Sequence, residues 1–148
     1  MEWYLKVMKE NFSNFSGRAR RKEFWMWYLF YVIVLIVAMI LDGVLGTGFE
    51  ISYGVTTPYG WIYIIAALAH VIPGLAVSVR RLHDVGQSGW MLLIGIIPIV
   101  NLVGGFVLLY WFIFAAGEEE ANRFGPVPTN MLVLPSGLSS AEPIRSNA

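Results

Sequence analysis

Cysteine is absent from this chain of 148 residues, which excludes disulfides and thiolate metal sites. Charge is scarce as well: Asp, Glu, Lys and Arg make up 14% of the residues, against about 25% in an average soluble domain. No phosphate-binding glycine loop, nucleophile elbow or HExxH helix occurs. The usual nucleotide, ester and zinc-peptidase chemistries therefore have no support. The few charges balance to zero. The basic stretches are too short, and too close to apolar runs, to point to nucleic acid before lipid.

What the chain has in abundance is hydrocarbon, with 57% hydrophobic residues. A soluble domain of this size has too little interior to hide them. Three long apolar runs predict an all-α integral membrane protein with transmembrane helices at about 24–45, 61–79 and 90–116. Trp25, Trp27, Tyr28 and Tyr31 crowd the start of the first run, where amphipathic rings favour the headgroup zone, and Asp42 falls near the opposite interface. The run is too long for a signal peptide and lacks a clean cleavage site.

The second run carries His70 and Pro73. Proline predicts a kink there. A lone intramembrane histidine is read first as bonded to a neighbouring helix, and only second as a proton relay. The third run is interrupted by Pro98, Asn101 and the Gly104-Gly105 pair. One kinked span is the favoured reading; a re-entrant segment up to Pro98, followed by a helix from about Leu102, is its rival.

Lys and Arg set the orientation. The amino-terminal segment is basic, residues 46–60 contain no Lys or Arg, and Arg80-Arg81 follow the second run. The positive-inside rule places the amino terminus in the cytoplasm and residues 46–60 outside. Three spans would then leave the tail outside. Before the first span, Trp3, Tyr4, Val7, Met8 and Phe12 gather on one face of a short amphipathic helix, which either lies in the headgroup plane or packs on the spans. Two Asn-Phe-Ser sequons at Asn11 and Asn14 face the cytoplasm in this threading and are read as chance. Residues 1–128 are read as one membrane domain; beyond Gly125 the chain has Pro126, Pro128, Pro135 and Pro143 among Ser, Asn and Gly residues without periodicity, and 129–148 reads as a disordered tail.

Three polar clusters interrupt the hydrocarbon: FSGRARRKEFW from Phe15, RRLHDVGQSGW from Arg80, and NRFGPVP from Asn122. With these motifs in this order the chain resembles the YhaH/YhaI-type small bacterial inner-membrane proteins, whose shared domain has no known function. The resemblance extends to about Pro128. It implies a multi-pass plasma-membrane location and no established activity.

The residues themselves suggest more. Arg18, Arg20, Arg21, Arg80 and Arg81 would form a basic ring at the cytoplasmic interface, suited to anionic lipid headgroups or a protein partner. Topological anchoring with structural ion pairing is the commoner role for such arginines and is weighed above a specific site. Asp84 is the natural internal partner for the ring, with Glu23 as a rival acceptor. Gly86 and Gly89 suit turns, Ser88 is placed to cap the third helix before Trp90, and Asn122-Arg123 reads as a turn whose arginine could meet Glu118, Glu119 or Glu120. His83, Asp84, Ser88, Trp90, Asn122 and Arg123 are thus candidates for ordering the loops. Adjacent His83 and Asp84 diverge by about 100° on a helix and make a poor metal or acid–base dyad. No metal, cofactor or catalytic residue is assigned.

The leading expectation is a structural or regulatory membrane unit. The alternative is a membrane enzyme or carrier for an anionic or lipid-like molecule, using His83, Asp84 and His70. Small residues (Ala66, Ala67, Ala69, Gly95, Gly104, Gly105) offer close helix contacts within the chain, in a homo-oligomer, or with a membrane-protein partner.

Overall fold

The computed structural model describes residues 2–52 and 54–128; the segment 129–148, expected to be disordered, lies outside the described residues. In chain order the elements are α1 (Glu2–Lys9), α2 (Arg21–Leu45), β1 (Gly48–Ser52), β2 (Val55–Gly60), α3 (Trp61–Asp84), a 3-10 helix (Gly89–Gly95) and α4 (Pro98–Ile113). Among the described residues, α2 and α3 are the helices long and apolar enough to cross a membrane.

Both run further into the polar clusters than their apolar cores suggest. Arg21, Lys22 and Glu23 form the first turn of α2, and Arg80 to Asp84 are the last turns of α3 rather than a loop. Helical geometry there lets Arg81 and Asp84 meet at a spacing of i,i+3. α3 passes through Pro73 without interruption.

The expectation of an all-α chain needs correcting. β1 and β2 form an antiparallel hairpin with irregular register, pairing Gly48 with Gly60 and Glu50 with Thr56. Its β2 segment holds Val55, Thr56, Thr57 and Tyr59, types that suit a pleated strand. Asp42 fixes the hairpin's ends. Its buried carboxylate accepts the Gly60, Ile62 and Tyr63 amides at 3.0, 3.2 and 2.8 Å, and the Thr47 hydroxyl. A carboxylate from the end of α2 thus caps the start of α3, where free amides and the helix dipole favour negative charge.

The expected single helix over 90–116 is also corrected. Ile97 is extended (φ −80°, ψ 112°), and α4 begins at Pro98. Proline lacks a donor and disfavours helical backbone in the residue before it, so it suits the first helical position and breaks the run there. The 16 residues of α4 extend about 24 Å, short of a hydrocarbon layer of about 30 Å. Gly104 lets α4 lie directly on the 3-10 helix, since a Cβ there would overlap the Ile94 side chain. The chain leaves the end of α3, turns at Ile97-Pro98 and returns to the same place: Arg81 at the end of α3 bonds the Trp111 and Ala115 carbonyls at the end of α4.

Val7, Ala19, Phe24, Trp27 and Val77 form a buried cluster, joined by Tyr4, Tyr28, Tyr31 and Phe112. Phe24 stacks on Phe112 at 4.7 Å, tying α4 to α2. Of the two placements open to α1, the structure takes packing on the helices: Val7 is fully buried and the Tyr4 hydroxyl lies 2.6 Å from His70 Nε2. His70 Nδ1 sits 2.7 Å from the Ala66 carbonyl. A carbonyl only accepts, so Nδ1 carries the proton and Tyr4 donates to Nε2. Burial pushes the Tyr4 phenol above its usual range, which keeps it a donor. The outward faces are apolar, with Ile36, Ile40, Val44, Ile65, Leu68, Ile99, Leu102 and Phe106 exposed while Arg81 and Asp42 are fully buried. That inversion of a soluble protein's surface is what a hydrocarbon solvent selects.

Candidate functional site

Three segments far apart in sequence converge where α3 ends. Arg18 precedes α2 and its side chain is 1% exposed; Arg81 is fully buried, and Asp84 lies between them. Asp84 Oδ1 accepts from Arg18 Nε at 3.1 Å, and Oδ2 accepts from Arg81 Nη1 at 2.7 Å. One carboxylate therefore faces two guanidinium groups. The excess positive charge meets backbone oxygens. Arg18 donates to the carbonyls of Glu118 and, at 2.6 Å, Glu120; Arg81 donates to Trp111 at 3.0 Å and Ala115 at 2.6 Å. These carbonyls belong to the end of α4 and the chain just after it, where helical oxygens lack partners and the dipole is negative.

Backbone bonds complete the join. Ala19 N–H donates to the Arg80 carbonyl at 2.9 Å, and Glu118 N–H to the Asp84 carbonyl at 2.8 Å. Gly117 permits this approach, because a Cβ there would overlap the Asp84 carboxylate. A second buried pair lies alongside, with Arg80 Nη1 2.5 Å from Glu23 Oε1. Glu23 was the rival acceptor; both acids are used, each for different arginines.

His83 and Asp84 do point to different partners. The His83 ring lies flat on Phe124 at 3.8 Å, with Nδ1 3.1 Å from the Gly17 carbonyl. Asn122 donates to the His83 carbonyl at 2.9 Å and to Glu118 Oε2 at 2.6 Å. Arg123 donates to the Gly86 carbonyl at 3.2 Å, so Asn122 rather than Arg123 takes the nearby glutamate. Ser88 Oγ accepts from Trp90 N–H at 3.4 Å and caps the 3-10 helix. Trp90 is 79% exposed, and its amide is the group that meets Ser88. Trp25 donates to the Phe112 carbonyl at 3.3 Å.

The arginine ring divides. Arg18, Arg80 and Arg81 are buried in internal pairs. Arg21, Lys22, Lys9 and Arg123 are exposed around them, and Arg20 is half-buried. Sequence reasoning overlooked the carbonyls of residues 111–120, Gly117 and Phe124. Glycine directly before the acidic run, and Phe124 inside the third motif, were the available signals.

A family model described as "Protein of unknown function (DUF805)" matches residues 12–126, from just before the first motif to within the third. The chain belongs to the DUF805 family. Inner membrane protein YhaH of Escherichia coli (strain K12) is 41% identical over 129 residues, covering 86% of this chain and 97% of that protein. Inner membrane protein YhaI of the same organism is 37% identical over 128 residues, covering 86% and 96%. The uncharacterized protein YiiR is 28% identical over 123 residues, 82% of this chain and 71% of that one. No solved structure matches. The resemblance carried by the three motifs is thus shown. This DUF805 chain is a membrane protein of unknown function, and in it the three motifs meet in one polar cluster.

Proposed function

We propose that the protein is a multi-pass inner-membrane unit with its amino terminus in the cytoplasm, whose cytoplasmic face gathers anionic lipid. α2 and α3 cross the bilayer, and the 3-10 helix with α4 forms a re-entrant hairpin that returns residue 114 onward to the cytoplasmic side. The observation that carries this reading is the Arg81 bond to Trp111 and Ala115, which holds the chain after α4 against the end of α3. It supports the rival, re-entrant threading over three full spans. The opposite end supports the orientation, because residues 46–60 contain no Lys or Arg.

In this reading Arg18 and Arg81, both paired with Asp84, are structural. Lipid attraction falls to the exposed Lys9, Arg21, Lys22 and Arg123. Each contributes about 1 kcal/mol near an anionic surface, or roughly fivefold in affinity. The enzyme alternative draws less support: both Asp84 oxygens are taken by arginines, and the His83 ring is held by Gly17 and Phe124.

The test is a reporter fused after Pro128, with a second at the amino terminus. Both should be active only on the cytoplasmic side; a carboxyl-terminal reporter active outside would sink the threading. Retention of phosphatidylglycerol over phosphatidylcholine by the purified protein should then fall when Arg21 and Lys22 are both changed to Ser.

A further inference from the structure

Among the described residues, two arginines at the polar end are incompletely bonded: Arg81 has no hydrogen-bond partner for Nε, and Arg80 leaves a whole edge of its guanidinium unused. Arg80 is 3% exposed and spends Nη1 on Glu23, yet its buried Nε and Nη2 have no hydrogen-bond partner among the described residues. In a guanidinium group the Nε–H and the neighbouring Nη2–H point the same way. They form the two-pronged edge that matches a pair of oxygens on phosphate or carboxylate. A desolvated cation with that edge unused is costly, and buried polar groups are satisfied in nearly all folded proteins.

Arg80 also lines a cavity of about 360 Å³ between α1, the segment before α2 and the chain at Pro126 to Pro128. The volume falls in the lower part of the range of about 300–1,000 Å³ typical of small-ligand sites. Its wall holds Lys6, Arg18, Arg20 and Arg80 against the single carboxylate of Glu23, with the Asn11 and Asn14 side chains as further polar groups. A cavity with this charge balance suits an anion with several oxygens better than a neutral molecule or a cation. Two of the three motifs build it, and Pro126 and Pro128 of the third close one side.

We propose that this cavity binds a phosphate-bearing ligand, with the Nε/Nη2 edge of Arg80 holding two phosphate oxygens and Lys6 and Arg20 adding charge. Glu23 positions Arg80 by holding Nη1, which turns the free edge away from that pair. The phosphate belongs either to a lipid headgroup or to a soluble phosphorylated compound; the recognition chemistry is the same. The proposal rests on the reading above only for which aqueous side the cavity meets, and it differs in being a built, saturable site rather than a surface attraction.

The experiment uses the full chain in phosphatidylcholine nanodiscs, titrated with inorganic phosphate and followed by calorimetry. A second preparation in phosphatidylglycerol nanodiscs is examined for retained lipid by native mass spectrometry. Saturable phosphate binding identifies a soluble ligand's chemistry. Retention of one phosphatidylglycerol without phosphate binding identifies a headgroup. Either supports the site if Arg80→Lys, which keeps the charge but loses the edge, weakens binding on the order of tenfold. Lys6→Ala, on the partly exposed α1, should weaken it too and keeps the test decisive should Arg80→Lys unfold. Arg21→Ser with Lys22→Ser reduces general anionic-lipid enrichment but should leave this site within about twofold. No saturable binding in either preparation, or binding that survives both Arg80→Lys and Lys6→Ala, overturns the proposal even where the surface reading stands.

Discussion

At one end of the α2–α3 pair, buried Asp84 is neutralised by Arg18 and Arg81; at the other, buried Asp42 is held by backbone amides and a hydroxyl, with no cation among its hydrogen-bond partners in the described residues. The Asp42 end joins segments that are near neighbours in the chain: the last turn of α2, Thr47, and the first turn of α3. Backbone amides and one hydroxyl suffice, because a helix start supplies donors already aimed along its axis. The Asp84 end joins α3 to segments more than sixty residues before it and some thirty residues after it. The ends of α3 and α4 there present carbonyls rather than amides, and the long cationic side chains of Arg18 and Arg81 reach those at and just after the end of α4. In the threading proposed above, the same distribution puts the arginines on one side of the membrane, which would make the positive-inside bias part of the fold as well as of its insertion.

The largest break in this comparison comes from Asp84→Asn. It leaves Arg18 and Arg81 buried without a counter-charge, and removal of one member of a buried ionic cluster costs about 3–5 kcal/mol. Thermal unfolding in detergent should show a steep loss of the folded fraction, together with protease cleavage between Gly117 and Gly125 as the third motif comes free. A variant as stable as the original would mean that the carbonyls alone neutralise the arginines.

Asp42→Ala probes the other end and should cost less, about 1–3 kcal/mol, the range for losing a helix cap with charge-assisted bonds. No buried cation is stranded by it. The marker is hydrogen exchange at the Ile62 and Tyr63 amides, which should quicken while the Glu118 amide stays protected. If both ends loosened together, the two carboxylates would belong to one cooperative unit instead of two local ones.

How much of this was legible in the sequence differs between the ends. The apolar cores of α2 and α3, the three motifs and the Ser88 cap all follow from residue type and spacing. The hairpin does not. Its strands are short, and what holds them is Asp42, a residue outside them that reads simply as an acid at an interface. The α4 return was present as a rival reading because Pro98 marks the break, but an apolar run of that length has the same composition whether it crosses a bilayer or doubles back. Nor does composition say which arginines turn inward. Arg80 and Arg81 are adjacent, yet helical geometry sends one to Glu23 and the other to Asp84.

Gly104→Leu separates the ends by a different route. A side chain at 104 meets Ile94, so the 3-10 helix and α4 must part, and overpacking of this kind costs about 1–3 kcal/mol. Among the described residues, the end of α4 is tied to Arg81 and Phe24, at the Asp84 end. The Glu118 amide should therefore lose protection while Tyr63 keeps it, the reverse of the Asp42→Ala pattern. Equal loss at both amides would show that α4 supports the whole α2–α3 pair.

Tyr4→Phe gives the smallest effect and tests what lies between the ends. The ring's packing against Phe30 and His70, at 5.7 and 5.9 Å, survives, and only the hydroxyl is lost. One neutral hydrogen bond is worth about 0.5–1.5 kcal/mol. His70 Nε2 then loses that one partner while Nδ1 keeps the Ala66 carbonyl. Unfolding should shift slightly, with protection at both Glu118 and Tyr63 unchanged, because His70 joins neither carboxylate. A loss as large as that of Asp84→Asn would instead make the Tyr4–His70 bond the point at which α1 locks the helix pair, and would move the centre of stability from the two ends to the middle of α3.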